Sequence, residues 1–164
     1  MTKRMDLRNK VATLPAVLLI VLLTSCGHSF NDSSAFKDIP EKGWPYANLI
    51  QLRLASRDSI VGGELSVAVD YANDYLYRNL WIESSCYEFD GQGNEIQRRD
   101  TLEFLLYDSI GNRLGTGAAS TWQLEKSLGK IRLVTDKPIE LRHIMRTDTL
   151  RNVNRVGILF VADK

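Results

Sequence analysis

An all-β domain, an antiparallel β-sandwich of jelly-roll-like type with about seven to nine strands, is what this 164-residue chain predicts. Three observations carry that reading. Apolar and polar residues alternate over short runs, the mark of strands with one face buried. Clusters rich in glycine and asparagine separate those runs and supply the positive φ of tight turns. No long segment keeps a helical period, so packed sheets are the remaining way to bury the apolar faces.

The first 25 residues stand outside that domain. A basic start (Lys3, Arg4, Arg8, Lys10) leads into an apolar run from Val11 to Leu23. A run of roughly thirteen residues is the length of a signal-peptide core and is too short to cross a bilayer about 30 Å thick. It ends in Leu23-Thr24-Ser25-Cys26. Small residues followed directly by cysteine are where bacterial lipoprotein signal peptidase cuts, after a diacylglycerol thioether has formed on the sulfur. Residues 1–25 therefore read as a lipoprotein signal peptide and Cys26 as the lipidated residue, with a further acyl chain on its new amino group. Two or three chains exceed the two signals needed for lasting attachment. Gly27 is not the aspartate that retains lipoproteins at the inner membrane in enterobacteria, and no acidic cluster adjoins Cys26. The expected location is the outer membrane, lipid-anchored and facing the periplasm.

Residues 26–38 read as a lipidated cysteine and flexible tether rich in Ser, Asn and Asp, and residues 39–164 as the sandwich. Removing the signal peptide takes four of 21 basic and one of 20 acidic side chains, leaving 17 against 19 and a net charge of −2. That balance argues against nucleic-acid binding, which needs a concentrated basic face. With Cys26 consumed by lipid, Cys86 has no intramolecular partner and reads as a small buried hydrophobe.

Along the domain, Ile50, Leu52 and Leu54 share one face of a strand within Ala47 to Leu54. Leu65, Val67, Val69 and Tyr71 share a face of the next. Asn79 to Phe89 is a longer run, with Leu80, Ile82 and Cys86 opposing Trp81, Tyr87 and Phe89. Leu102, Phe104 and Leu106 follow, then Leu141, His143 and Met145, then Val156, Ile158 and Phe160. Gly62-Gly63, the stretch from Asp90 to Asn94 and the stretch from Ser109 to Asn112 are expected as turns. Trp122 to Leu128 is expected as a turn or two of helix stopped by Gly129, and Thr147 to Asn152 as a loop with a short helix.

Candidate chemistry is sparse. The two histidines are His28, in the tether, and His143, whose spacing to Leu141 and Met145 points it to the core, so no metal set forms. The loop from Asp90 departs from an EF-hand, with glycine at the fourth position and Thr101 where the bidentate glutamate belongs. Asp70, Asp74, Asp100, Glu103, Asp108 and Glu140 show no spacing that singles out an acid and a nucleophile. No nucleophile elbow or phosphate loop occurs. Catalytic residues, cofactor and small-molecule substrate are all read as none. Trp44, Tyr46, Tyr71, Tyr75, Tyr77, Trp81 and Trp122 could instead line a sugar-stacking face, which gives a second reading as a lipid-anchored glycan-binding module, though core and edge duty is the simpler role. Arg132, Arg142, Arg146, Arg151 and Arg155 read as solvated strand faces.

Three stretches resemble the GldH gliding motility lipoproteins of the Bacteroidetes. They are Tyr75 to Ile82, then Asp100 to Phe104 with Asp108, Gly111, Gly115 and Gly117, then His143 to Leu150 closed by Val153, Val156 and Gly157. The likeness spans roughly residues 44 to 162, with a departure at Asp136 to Ile139. The resemblance implies a non-enzymatic envelope β-sandwich, a structural or assembly component of the gliding apparatus and of the type IX secretion linked to it. Its partners would be the membrane, through the lipid, and other motility or secretion proteins. It brings no catalytic residues. The shared positions Tyr77, Asn79, Leu80, Trp81, Met145, Arg146, Asp148, Leu150 and Gly157 read as structural. Leu80 and Ile82 would pack inward with Trp81 outward, and Asn79 would bend its own backbone at the strand start. Met145 would fill the core, Asp148 would cap the following loop by accepting backbone amides, and Arg146 would pair with Asp148 or Asp100.

Overall fold

The computed structural model describes residues 33–56 and 58–163; the signal peptide, Cys26 and His28 lie outside the described residues. Alternation does produce strands, in the order β1 (Ser33–Asp38), β2 (Trp44–Pro45), β3 (Ile50–Leu52), β4 (Ile60–Ala72), β5 (Asn79–Phe89), β6 (Glu95–Leu105), β7 (Thr116–Ala118), β8 (Thr121–Val134), β9 (Ile139–His143), β10 (Thr149–Leu150) and β11 (Val153–Ala162). Nine of them join one antiparallel sheet, and β2 with β10 form a separate ribbon.

The nine-stranded sheet folds over on itself. Strands β1-β11-β4-β8 make one layer and β3-β9-β5-β6 the other, while β7 extends β8. A single residue pair, Glu88 with Leu133, joins β5 to β8 and so links the layers. Successive strands cross between layers in the order of a jelly roll. The inner faces meet in one core: Leu65, Val67, Val69 and Tyr71 of β4 and Val156, Ile158 and Phe160 of β11 face Leu80, Ile82 and Cys86 of β5 and Leu102 and Phe104 of β6. Each such side chain contributes about 1.5–3 kcal/mol by leaving water.

Strand β5 runs over the same residues that its alternation predicts. Elsewhere the expectations need correction. Ser33–Asp38, read as tether, forms edge strand β1 against β11. Gly62 and Gly63, read as a turn, lie inside β4. Trp122 to Leu128, read as helix, belongs to β8, which pairs with β4 from Thr121 to Val134. The run Gln-Leu-Glu-Lys favours helix locally, but the partner strand decides. Gly129 does not stop a helix; with φ of 82° it sits at the bulge that shifts the β4–β8 register at Leu65/Ser66. Thr147 to Asn152 holds the two residues of β10 rather than a short helix.

Two turns share one plan that the sequence spells as Asp-x-x-Gly-Asn. Asp90 Oδ1 accepts the backbone N–H of Gln92 and of Asn94, both at 2.8 Å, and Asp108 Oδ1 accepts those of Ile110 and Asn112, both at 2.9 Å. The glycine of each takes positive φ, 84° at Gly93 and 88° at Gly111. The Asn94 backbone N–H at Asp90, and at Asp108 the Asn112 side-chain amide followed by the backbone N–H groups, hold both aspartates below the ordinary carboxylate range.

Outside the core, the far face of β4 is also covered. Ser66, Ala68 and Asp70 are buried there. Gly157 pairs with Ala68 on one side and Phe36 on the other. The Phe36 ring lies where a Cβ on Gly157 would fall. An aromatic ring on the neighbouring strand thus fills the space over a glycine. Above it, the Arg155 guanidinium stacks 4.4 Å from the ring centroid and donates to Asp70 Oδ2 at 2.7 Å, while Gln123 donates to Asp70 Oδ1 at 2.8 Å.

Direction along the sandwich follows from the registers. Ser33 pairs with Phe160, which pairs with Leu65, whereas Ala72 leads into the loop before Asn79. The chain thus enters the described domain midway along β4, and β1 runs toward the end where residues 73–78, 106–115 and 144–152 gather.

Gly157→Ala should lower stability by about 1–3 kcal/mol through overpacking against Phe36. Chemical denaturation of Gly157→Ala, Phe36→Ala and the double variant checks it, with the double less destabilised than the sum of the singles.

Candidate functional site

At the end toward which β1 runs, an open groove of about 420 Å³ is lined by Tyr77, Trp81, Ile144, Met145 and Arg146. Alternation along β5 puts Leu80 and Ile82, both at 0 % exposure, into the core and leaves Trp81 half-buried on the outer face. The segment after β9 then continues beside β5. Ile144 N–H donates to the Trp81 carbonyl at 3.0 Å, and the Trp81 N–H meets Met145 Sδ at 3.3 Å. Both polar groups of the Trp81 peptide are therefore tied to 144–145, which fixes one wall against the other.

Tyr77 stands on the opposite rim, its ring 5.7 Å from that of Tyr75 at an interplanar angle of 67°. Tyr75 is buried and donates its hydroxyl to the Asn79 carbonyl at 3.1 Å; burial pushes its pKa upward, so it stays a neutral donor. Asn79 itself does not bend its own backbone. Its Nδ2 donates across the sheet to Glu103 Oε1 at 2.7 Å, occupying the carboxylate next to Trp81. Arg142 is held by Glu83 at 2.6 Å and lies 5.7 Å from the Tyr46 ring centroid.

Of the shared positions, Tyr77, Trp81, Met145 and Arg146 converge on this groove. Leu80 and Leu150 are core residues, and Gly157 belongs to the other layer beneath Phe36. Met145 packs against the core only in part, because its sulfur turns to the Trp81 amide. Asp148 is not a cap: its side chain is exposed and takes no amide, while its backbone carbonyl accepts the Tyr46 N–H at 2.8 Å. Arg146 pairs with neither Asp148 nor Asp100, since Asp100 is engaged by Arg98 at 2.7 Å. Ile144, not singled out above, completes the groove; its position next to the inward His143 was the available signal.

The remaining candidates disperse. Glu140 meets Gln51 and Ser85, Asp70 meets Arg155 and Gln123, and Asp108 closes its turn. Among the described residues no three His, Cys, Asp or Glu side chains gather as a metal set. Trp44 is fully buried, Trp81 lines the groove and Trp122 lies on β8, where its Nε1 donates to Asn73 Oδ1 at 3.0 Å. The three tryptophans do not share one sheet face. The five arginines are likewise spread: Arg142 on β9, Arg155 on β11 and Arg132 on β8 over Phe89. Cys86 is free and buried, its thiol pushed up to about 11 by burial and then by Glu88, which leaves it unreactive near neutrality.

His143 faces the core as its spacing predicts, with 0 % exposure. The rings of Trp44 and Tyr46 meet it edge-on at 5.3 Å and 5.7 Å. Neither ring nitrogen makes a well-formed hydrogen bond. The Trp44 backbone favours the protonated imidazole, but burial outweighs it and lowers the pKa below its ordinary 6.5.

A jelly-roll sandwich carrying an open, aromatic-lined groove defines this protein's class. The family follows from the sequence itself. The GldH lipoprotein family model matches residues 33–159, more than half of the chain, and the chain belongs to that family. No curated protein and no solved structure matches it.

Two outcomes are expected. The unfolded chain takes up a proton at His143 near pH 6.5 while the folded chain resists, so stability falls as pH drops through that value and levels off below the folded-state pKa. Urea midpoints across this range should show the slope in the native protein and lose it in His143→Leu. Asp148→Ala should leave the melting temperature within about 1 °C, as expected of an exposed side chain without partners.

Proposed function

We propose that this protein is a non-enzymatic structural lipoprotein of the outer membrane, anchored through Cys26, facing the periplasm and serving the gliding apparatus and its linked type IX secretion. The match to the GldH lipoprotein family over residues 33–159 carries this reading. The sequence supports it with a basic start, a short apolar core and Ser25-Cys26 in the required order. The structure supports a docking role through an open groove on a rigid sandwich, with the acidic side chains near it committed to structural hydrogen bonds. Its partners on this reading are other envelope proteins of the motility and secretion assembly. No cofactor is required.

Cys26→Ala should abolish acylation and release the protein from the outer-membrane fraction, read by intact-mass spectrometry and membrane fractionation. Gene deletion should impair both surface movement and secretion through the type IX route. A native protein with an unmodified thiol at Cys26, or intact secretion after deletion, would refute the reading.

A further inference from the structure

We propose that the Trp81 groove binds an extended segment of a partner protein that presents an aliphatic side chain beside an Asp or Glu carboxylate. The inference deepens the docking role above and rests on it. Apolar walls from Trp81, Ile144 and Met145 suit an aliphatic side chain, and the half-buried tryptophan is the kind of anchor that dominates protein interfaces.

Charge decides the rest of the partner's chemistry. Arg146 lies exposed at the rim, and among the described residues no hydrogen bond, ion pair or ring stands against it. Arg142, four residues earlier, has both Glu83 and the Tyr46 ring. The groove lining contains no acid, and the adjacent Glu103 carboxylate is already taken by Asn79. An uncompensated guanidinium beside an apolar groove calls for a carboxylate from outside, and its planar fork receives one in bidentate geometry.

The position of the groove selects a protein over the anchoring bilayer. The chain enters the described domain at Ser33, level with Leu65 midway along β4, and β1 runs from there toward the groove end. Six residues lie between Cys26 and Ser33, a reach of at most about 25 Å when fully extended. The groove thus lies beyond the far end of β1 from the residue at which the tether joins.

The test replaces Tyr77 with photoreactive benzoylphenylalanine in the full-length protein in its native cells, followed by irradiation and mapping of the adduct by mass spectrometry. The expected adduct lies on an aliphatic residue of another envelope protein, with Asp or Glu within a few positions. Arg146→Glu should cut its yield about tenfold or more without moving the melting temperature. Replacing the mapped partner carboxylate with lysine should restore the yield in the Arg146→Glu background. An adduct to lipid, to glycan or to a second copy of this chain, an adduct indifferent to Arg146, or none at all overturns the proposal. If the groove fails while deletion still blocks secretion, the functional reading survives; if secretion is intact, that reading falls whatever the adduct shows.

Discussion

Strand β4 has water on neither side from Leu65 to Tyr71, and most of the architecture answers to that constraint. Its inward residues Leu65, Val67, Val69 and Tyr71 fill the core, while Ser66, Ala68 and Asp70 are buried on the other face. Burying Asp70 is tolerable because Arg155 and Gln123 satisfy its carboxylate. Beside Ala68, the side-chain space that Gly157 leaves open is filled by the Phe36 ring. Edge strand β1 thus covers β11 beside the central strand, and Arg155 serves twice, as ion-pair partner and as stacked cation.

Packing around β4 also places the groove. Tyr71 sends its hydroxyl to the carbonyls of Leu106 and Leu114 at 3.1 Å and 2.8 Å, tying the loop after β6 to the end of β4. Arg113 reaches the Asn73 carbonyl at 2.8 Å from the same loop. With its base held this way, the loop carrying Tyr77 has a defined position opposite Met145. The groove is thus an outcome of core geometry, formed where two loops and one strand start are anchored from beneath.

How much of this was legible in the sequence depended on whether a rule was local. The alternation of β5 is local, and Asn79–Phe89 was readable to the residue. So was the inward turn of His143. Strand β8 was not, because its Gln-Leu-Glu-Lys run prefers helix and only pairing with β4 overrides that preference. Strand β1 looked like a tether because Ser33 and Ser34 are polar and its value lies in Phe36 covering a glycine more than a hundred positions on. The groove shared this difficulty: the Trp81 amide meets the Met145 sulfur across a separation of 64 residues. The resemblance placed both stretches in one motif set, yet nothing local said that they touch or that Ile144 joins them.

The direction of β1 has a mechanical consequence. A pull delivered at Ser33 and resisted at the groove end runs along the strand, not across it. Six consecutive residue pairs between β1 and β11, from Ser33–Phe160 to Asp38–Arg155, then share the load in shear instead of parting one at a time like a zipper. A molecule strung between an anchorage and a moving assembly would be wired in its stronger direction.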